Sequence, residues 1–304
     1  MANIGYSLLL VLAAFIWGTT FVAQAEGNSA GPFVFTFVRN FLATFLLFGL
    51  AKILDFAGKS PKKPQNVLQT KNLWKAGIFC GLALGFGTNF QQLGLFLGCS
   101  AGKSGFLTTC YIILVPVLSV FLGKKITGKI WFCVLLTLAG LYLLCIKDGF
   151  SIQAADGVLL LCALSFAIQI LITDRFCQEV DNVRLSAIQC LVACVVSSIP
   201  MLFVDLKLST AGLMNAVEIY THWNAWIPLL YAAVLSSGVA FTLQIVAQNK
   251  IRPTVASLLM SLESVFAVLG GWAVLNERLS FQEGVGCVLM FIAVILSQIK
   301  LGKK

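Results

Sequence analysis

The chain has 304 residues, of which 59% are apolar and only 11% charged, against the roughly 25% charged residues of a soluble globular domain. A soluble, disordered or collagen-like protein is excluded, and an all-α polytopic membrane protein is the class that remains. The 21 Lys and Arg exceed the 12 Asp and Glu to give a net charge of +9, which in so apolar a chain reads as a topology signal and not as a nucleic-acid footprint.

Apolar runs between polar breaks predict ten transmembrane helices, at 5–23, 32–51, 75–97, 104–123, 130–146, 157–173, 184–204, 226–248, 253–275 and 281–299. Each run is continuous over a bilayer-spanning length. A membrane β-strand would instead alternate over about 10 residues.

Span one carries Trp17, Thr20 and Gln24 at spacings of three and four, hence on one helical face. Ala23-Gln24-Ala25 has the look of a leader cleavage site. Met1–Ser7, however, has no basic residue of the kind a secretory leader begins with, so span one is expected to be retained. In span two, Arg39 lies seven residues beyond Pro32, about 10 Å by helical rise. It could pair with an acid, hold a substrate carboxylate, or snorkel to the interface.

Span three has glycines at every fourth residue, Gly77, Gly81 and Gly85, and again Gly94, Gly98 and Gly102. Such spacing lets helix backbones approach closely. Between them sits the polar cluster Thr88-Asn89-Phe90-Gln91-Gln92. Span four offers Tyr111 as a candidate solute contact and Pro116 as a candidate hinge. Span six repeats a polar face with Ser165, Gln169 and Thr173, and Ser209–Tyr220 reads as a short helix on the outer surface. Span eight places Ser237, Phe241, Gln244 and Gln248 at spacings of four, three and four.

Glu263 lies ten residues into span nine and is the candidate protonatable, proton-coupling group, with a static hydrogen bond as the alternative. Glu277 and Glu283, nearer the outer end, are expected to be solvated.

Polar side chains in hydrocarbon must find partners, line water, or bind something. Interhelical hydrogen bonds worth about 1 kcal/mol each are one outcome. Four helices with amide and aromatic faces point to the other, a cavity for a small polar or zwitterionic solute. Its candidate binding residues are Trp17, Thr20, Gln24, Arg39, Asn89, Gln91, Gln92, Tyr111, Gln169, Ser237 and Gln244.

With the N-terminus inside, sixteen Lys and Arg fall on cytoplasmic segments. Four (Lys103, Lys147, Lys207 and Arg278) fall outside, and Arg39 lies within a span. That asymmetry predicts both termini in the cytoplasm, with the plasma (inner) membrane as the expected location. Leu12–Gln24 aligns with Leu161–Thr173 at an offset of 149, Gly123 with Gly271 at 148, and Cys133-Val134-Leu135 with Cys287-Val288-Leu289 after a small insertion. Residues 1–147 and 155–300 therefore read as two five-helix repeats, with 301–304 a basic cytoplasmic tail. Because five is odd, the second repeat is expected to be inverted.

Phe15–Gln24 (FIWGTTFVAQ), Arg39-Asn40-Phe41-Leu42, Asn89–Pro116, Leu262-Glu263 and Leu275-Asn276-Glu277-Arg278-Leu279 together resemble the drug/metabolite transporter superfamily, EamA type. The resemblance runs the length of the chain and implies ten helices in two inverted domains. It also implies export or exchange of amino acids, related metabolites or drugs. The chain departs from the family pattern at Ser264, where proline is usual, and at Lys124-Lys125, where a Gly-Glu-Arg-like element is expected.

The expected activity is secondary transport of a small polar metabolite by alternating access. A channel-like pore, or a non-transporting scaffold or sensor, is the alternative. An enzyme lacks its inventory: the one histidine, His222, is outside the spans, and no P-loop is present. The ten cysteines are scattered without a CxxC, so no metal or other cofactor is expected. The expected partners are a small-molecule substrate, the lipid bilayer and protons, not nucleic acid, for a monomer or homodimer.

Overall fold

The computed structural model describes residues 2–60, 62–99, 101–145, 153–274 and 280–299. Lys147, the 275–279 motif with Glu277 and Arg278, Lys300 and the 301–304 tail lie outside these residues, as does most of the expected seam between the repeats. Among the described residues there are helices and turns but no strand. The first half contains α1 (Ala2–Glu26), α2 (Pro32–Phe56), α3 (Val67–Phe96), α4 (Ala101–Thr109), α5 (Tyr111–Phe121) and α6 (Gly128–Cys145). The second contains α7 (Ala154–Phe176), α8 (Asn182–Pro200), α9 (Thr210–Ile219), α10 (Trp223–Leu230), α11 (Phe241–Gln248), α12 (Pro253–Met260), α13 (Glu263–Val274) and α14 (Phe281–Gln298). Eight helical segments are long and apolar enough to cross a bilayer, and Gly128–Leu144 is a shorter apolar helix.

Local chemistry sets many of the helix ends. Asn66 caps α3 by accepting from the Gln69 N–H, and Ser209 caps α9 by accepting from Gly212. Glu283, expected to be solvated, is 3% exposed. It forms a reciprocal capping box with Ser280 at the start of α14, and that pairing keeps the carboxylate out of solvent.

Two expected spans are broken. Span four stops at Thr109 and restarts at Tyr111, while Pro116 lies buried inside α5, beyond the break. Span nine breaks at Ser261–Leu262, between α12 and α13, although Ser264 replaces the family's proline. Span eight is interrupted differently, by a π-helical stretch at Tyr231–Ala240 between α10 and α11.

The most extensive helix contacts join the two halves: α3 against α7 and α8, α2 against α8, α6 against α14, and α1 against α13. The first glycine series explains the α3–α8 contact. A Cβ on Gly77 would strike Ile188, one on Gly81 would lie 2.5 Å from the Val192 Cβ, and one on Gly85 2.9 Å from the Val196 Cβ. Polar clasps secure both ends of the α2–α8 pair. Arg184 holds Asp55 at 2.6 Å at one end. At the other, an Asp205 oxygen accepts from the N–H groups of Phe33 and Val34 at 2.8 Å, satisfying orphan donors of the α2 N-terminus. Likewise α7 is pinned at its start by Lys103–Asp156 and near its end by Lys124–Asp174, each at 2.8 Å.

Candidate functional site

Arg39 is 2% exposed, so it does not snorkel. Among the described residues no carboxylate pairs with it. Instead its Nε donates to Ser237 Oγ at 3.0 Å, Nη1 to Gln24 Oε1 at 2.9 Å and Nη2 to Ser236 Oγ at 3.1 Å. Adjacent serines reach one guanidinium from within the π-helical stretch, a distortion common at functional sites. A guanidinium has five N–H donors, so two remain for a ligand.

Glu263 is 4% exposed and is the first residue of α13, immediately past its break. Its Oε1 accepts from Thr109 Oγ1 and from the Tyr111 hydroxyl, both at 3.1 Å. Thr109 and Tyr111 flank the other break, and Thr109 and Ser264 hydroxyls lie 2.9 Å apart. The two interruptions thus meet, and each supplies side chains to the other. Helix α1 is drawn against this point at Gly18, where an added Cβ would lie 2.5 Å from the Glu263 carbonyl oxygen.

Between these charged groups lies a cavity with about 480 Å³ of empty space, of which about 40 Å³ admits the centre of a water molecule. At the roughly 10–15 Å³ each water needs, it holds only about three. Its aromatic wall includes Trp17 and Phe241, with ring centroids 5.0 Å apart, and Phe21, Phe166 and Tyr111. An amide chain forms another part: Gln244 Nε2 donates to Gln169 Oε1 at 2.9 Å and to Gln248 Oε1 at 3.0 Å. Two buried polar atoms on the lining, the indole N–H of Trp17 and Oε1 of Gln244, have no hydrogen-bond partner among the described residues. Unsatisfied buried groups are uncommon in native proteins, and here both are available to a bound solute or water. Among the described residues no cluster of three or more metal-ligating side chains occurs.

Of the residues singled out in the sequence, Trp17, Gln24, Arg39, Gln91, Tyr111, Gln169, Gln244 and Glu263 come together on this cavity. Four others do not line it. The Thr20 hydroxyl bonds its own helix at the Ile16 carbonyl, and Asn89 Nδ2 ties α3 to Ser197 of α8 at 3.0 Å. Gln92 Nε2 donates to the Gln24 carbonyl at 2.9 Å, and Ser237 stands behind Arg39 as its acceptor. Pro116 is likewise off the lining. The sequence reading left Phe21, Thr108, Phe166, Ile170, Ser236 and Met260 out of the site, and it named Thr88 and Phe241 only as members of polar faces.

Bilayer-length apolar helices around a narrow, mostly apolar cavity that carries a few buried polar and charged side chains are the architecture of a membrane transporter. The EamA-like transporter family matches residues 4–146 and 153–298, and the chain belongs to that family. An uncharacterized transporter of Archaeoglobus fulgidus is 30% identical over 298 residues, covering 96% of this chain and 85% of its own. The uncharacterized transporter YoaV of Bacillus subtilis is 24% identical over 295 residues, covering 95% and 94%. A solved crystal structure of a protein shares the fold, with a TM-score of 0.75 at 16% identity over 97% of each chain.

Proposed function

We propose that this protein is a secondary transporter that exports or exchanges a small zwitterionic metabolite, such as an amino acid, by alternating access. The observation that carries the reading is one narrow cavity walled by both halves, with the buried Arg39 guanidinium and the buried Glu263 carboxylate both on its lining. In this reading Arg39 takes the solute carboxylate, Gln244 and Glu263 face its ammonium group, and the aromatic wall takes its apolar part. Glu263 is also the group that couples protons.

A space for about three waters supports an occluded state between inward- and outward-open ones, and counts against a standing pore. Ten crossings, an inverted second half and cytoplasmic termini complete the proposal, on the strength of the helix order and the Lys/Arg asymmetry.

The test is counter-exchange of labelled amino acids in proteoliposomes holding the purified chain. Saturable exchange is expected, reduced about 30-fold or more in Arg39→Gln because a buried charge contact is lost. Flux that neither saturates nor exchanges would reject alternating access in favour of a pore.

A further inference from the structure

A second cleft shares α5 and α12 with this cavity but lies toward their opposite ends, where the ends of α5 and α14 meet the starts of α6 and α12. Its volume is about 1060 Å³, and its lining draws on both halves of the chain. We propose that it is a binding site for the phosphate headgroup of an anionic phospholipid.

Four cations line it, Lys124, Lys125, Lys129 and Arg252, against the single carboxylate of Asp174. Lys124 is held by Asp174 at 2.8 Å, and Lys129 donates to the Ile299 carbonyl. Lys125 and Arg252 have no side-chain partner among the described residues, so the lining keeps a surplus of positive charge. Ser119, also on the lining, is fully buried, yet its hydroxyl has no hydrogen-bond partner among the described residues. A phosphate oxygen would satisfy it. Helix α12 begins at the cleft with Pro253 and Thr254. Pro253 has no N–H and those of Val255 and Ala256 donate to the Arg252 carbonyl, so of its first turn the Thr254 N–H is the one left for an anion among the described residues.

Continuity with lipid-facing surface selects a lipid over a soluble phosphate. Phe121, 83% exposed, and Leu122 precede the lysine pair with only Gly123 between, and Ile295 and Ile299 on and after the last turn of α14 are also exposed. Acyl chains would lie against these side chains while the headgroup enters the cleft. In the orientation proposed above, on which the choice of leaflet rests, this end faces the cytoplasmic leaflet, whose anionic lipids attract basic segments.

The experiment measures thermal unfolding and native mass spectra of the purified full chain with phosphatidylglycerol, phosphatidylcholine or glycerol 3-phosphate. Phosphatidylglycerol is expected to raise the melting temperature, while the other two leave it in place. In Lys125→Gln/Arg252→Gln the lipid-free melting temperature should hold and phosphatidylglycerol affinity should fall about 10–30-fold, at the rate expected for two lost charges. Equal stabilisation by phosphatidylcholine, or undiminished affinity in the double variant, would overturn the site. Equal stabilisation by glycerol 3-phosphate would overturn the lipid as its occupant. Should the double variant not fold, Lys125→Gln alone is expected to bind several-fold more weakly, and unchanged binding refutes the proposal equally.

Discussion

Replacing Gly18 with alanine tests whether the contact of α1 with α13 sets the geometry around Glu263. The new Cβ would lie 2.5 Å from the Glu263 carbonyl oxygen, 2.7 Å from the Phe266 Cβ and 2.8 Å from the Ala267 nitrogen. Carbon atoms rest about 3.5–4.0 Å apart, so the helices must part by about 1 Å. Backbone atoms make up two of the three contacts, and no rotamer change relieves them. A shift of that size would stretch the two 3.1 Å hydrogen bonds to Glu263 past their useful length.

Overpacking of this kind costs about 1–3 kcal/mol, and each lost bond about 1 kcal/mol more. The higher helix propensity of alanine returns about 1 kcal/mol, leaving a net loss of about 2–4 kcal/mol. Thermal unfolding of the purified protein, with exchange assayed in parallel, should show both stability and transport reduced. Gly49→Ala is the control, because nothing lies within 4 Å of a Cβ there, and its melting temperature should hold or rise. Should Gly18→Ala melt as the parent does and exchange at the parental rate, the close-contact argument fails.

Two further perturbations probe other parts of the molecule. Asp205→Asn keeps the cap shape at the α2 N-terminus but removes its charge, and Asp205→Ala removes both. Losses of about 0.5–1 and 1–2 kcal/mol are expected in that order, and equal melting of the parent and the alanine variant would show that the cap contributes nothing. Glu263→Gln should leave exchange saturable but with a raised KM, because a charge facing the solute's ammonium group is lost, while an imposed pH gradient ceases to alter it. Parental flux at every pH would remove Glu263 from the mechanism.

The helices were legible because span-length apolar runs have few competing readings, and the Gly77, Gly81 and Gly85 series announced the close approach that α8 makes. The polar cluster on span three was legible only in part. Thr88 and Gln91 are three apart and line the cavity, whereas Asn89 and Gln92, also three apart, serve neighbouring backbone and side chains. Consecutive polar residues cover two adjoining faces of a helix, and periodicity alone does not say which one looks inward.

Span eight hid its main feature for another reason. Tyr231–Ala240 contains no proline, and its single glycine, Gly238, does not by itself announce the π-helical bonding that turns both Ser236 and Ser237 to Arg39. The breaks in spans four and nine were equally silent. They arise where Thr109, Tyr111, Glu263 and Ser264 bond across from one half to the other, and such pairing belongs to tertiary contact, not to local propensity.

The partners of Arg39 bear on how the molecule is made. Gln24 is in place before the guanidinium is synthesised, but Ser236 and Ser237 follow it by 197 and 198 residues. Through most of translation the nascent first half holds a charge in the membrane with a single side-chain acceptor from its final set, a costly arrangement in hydrocarbon. Arg39 gains its full set of acceptors only once the eighth apolar run has been made, so a chain truncated before Ser236 keeps the arginine without two of its three partners.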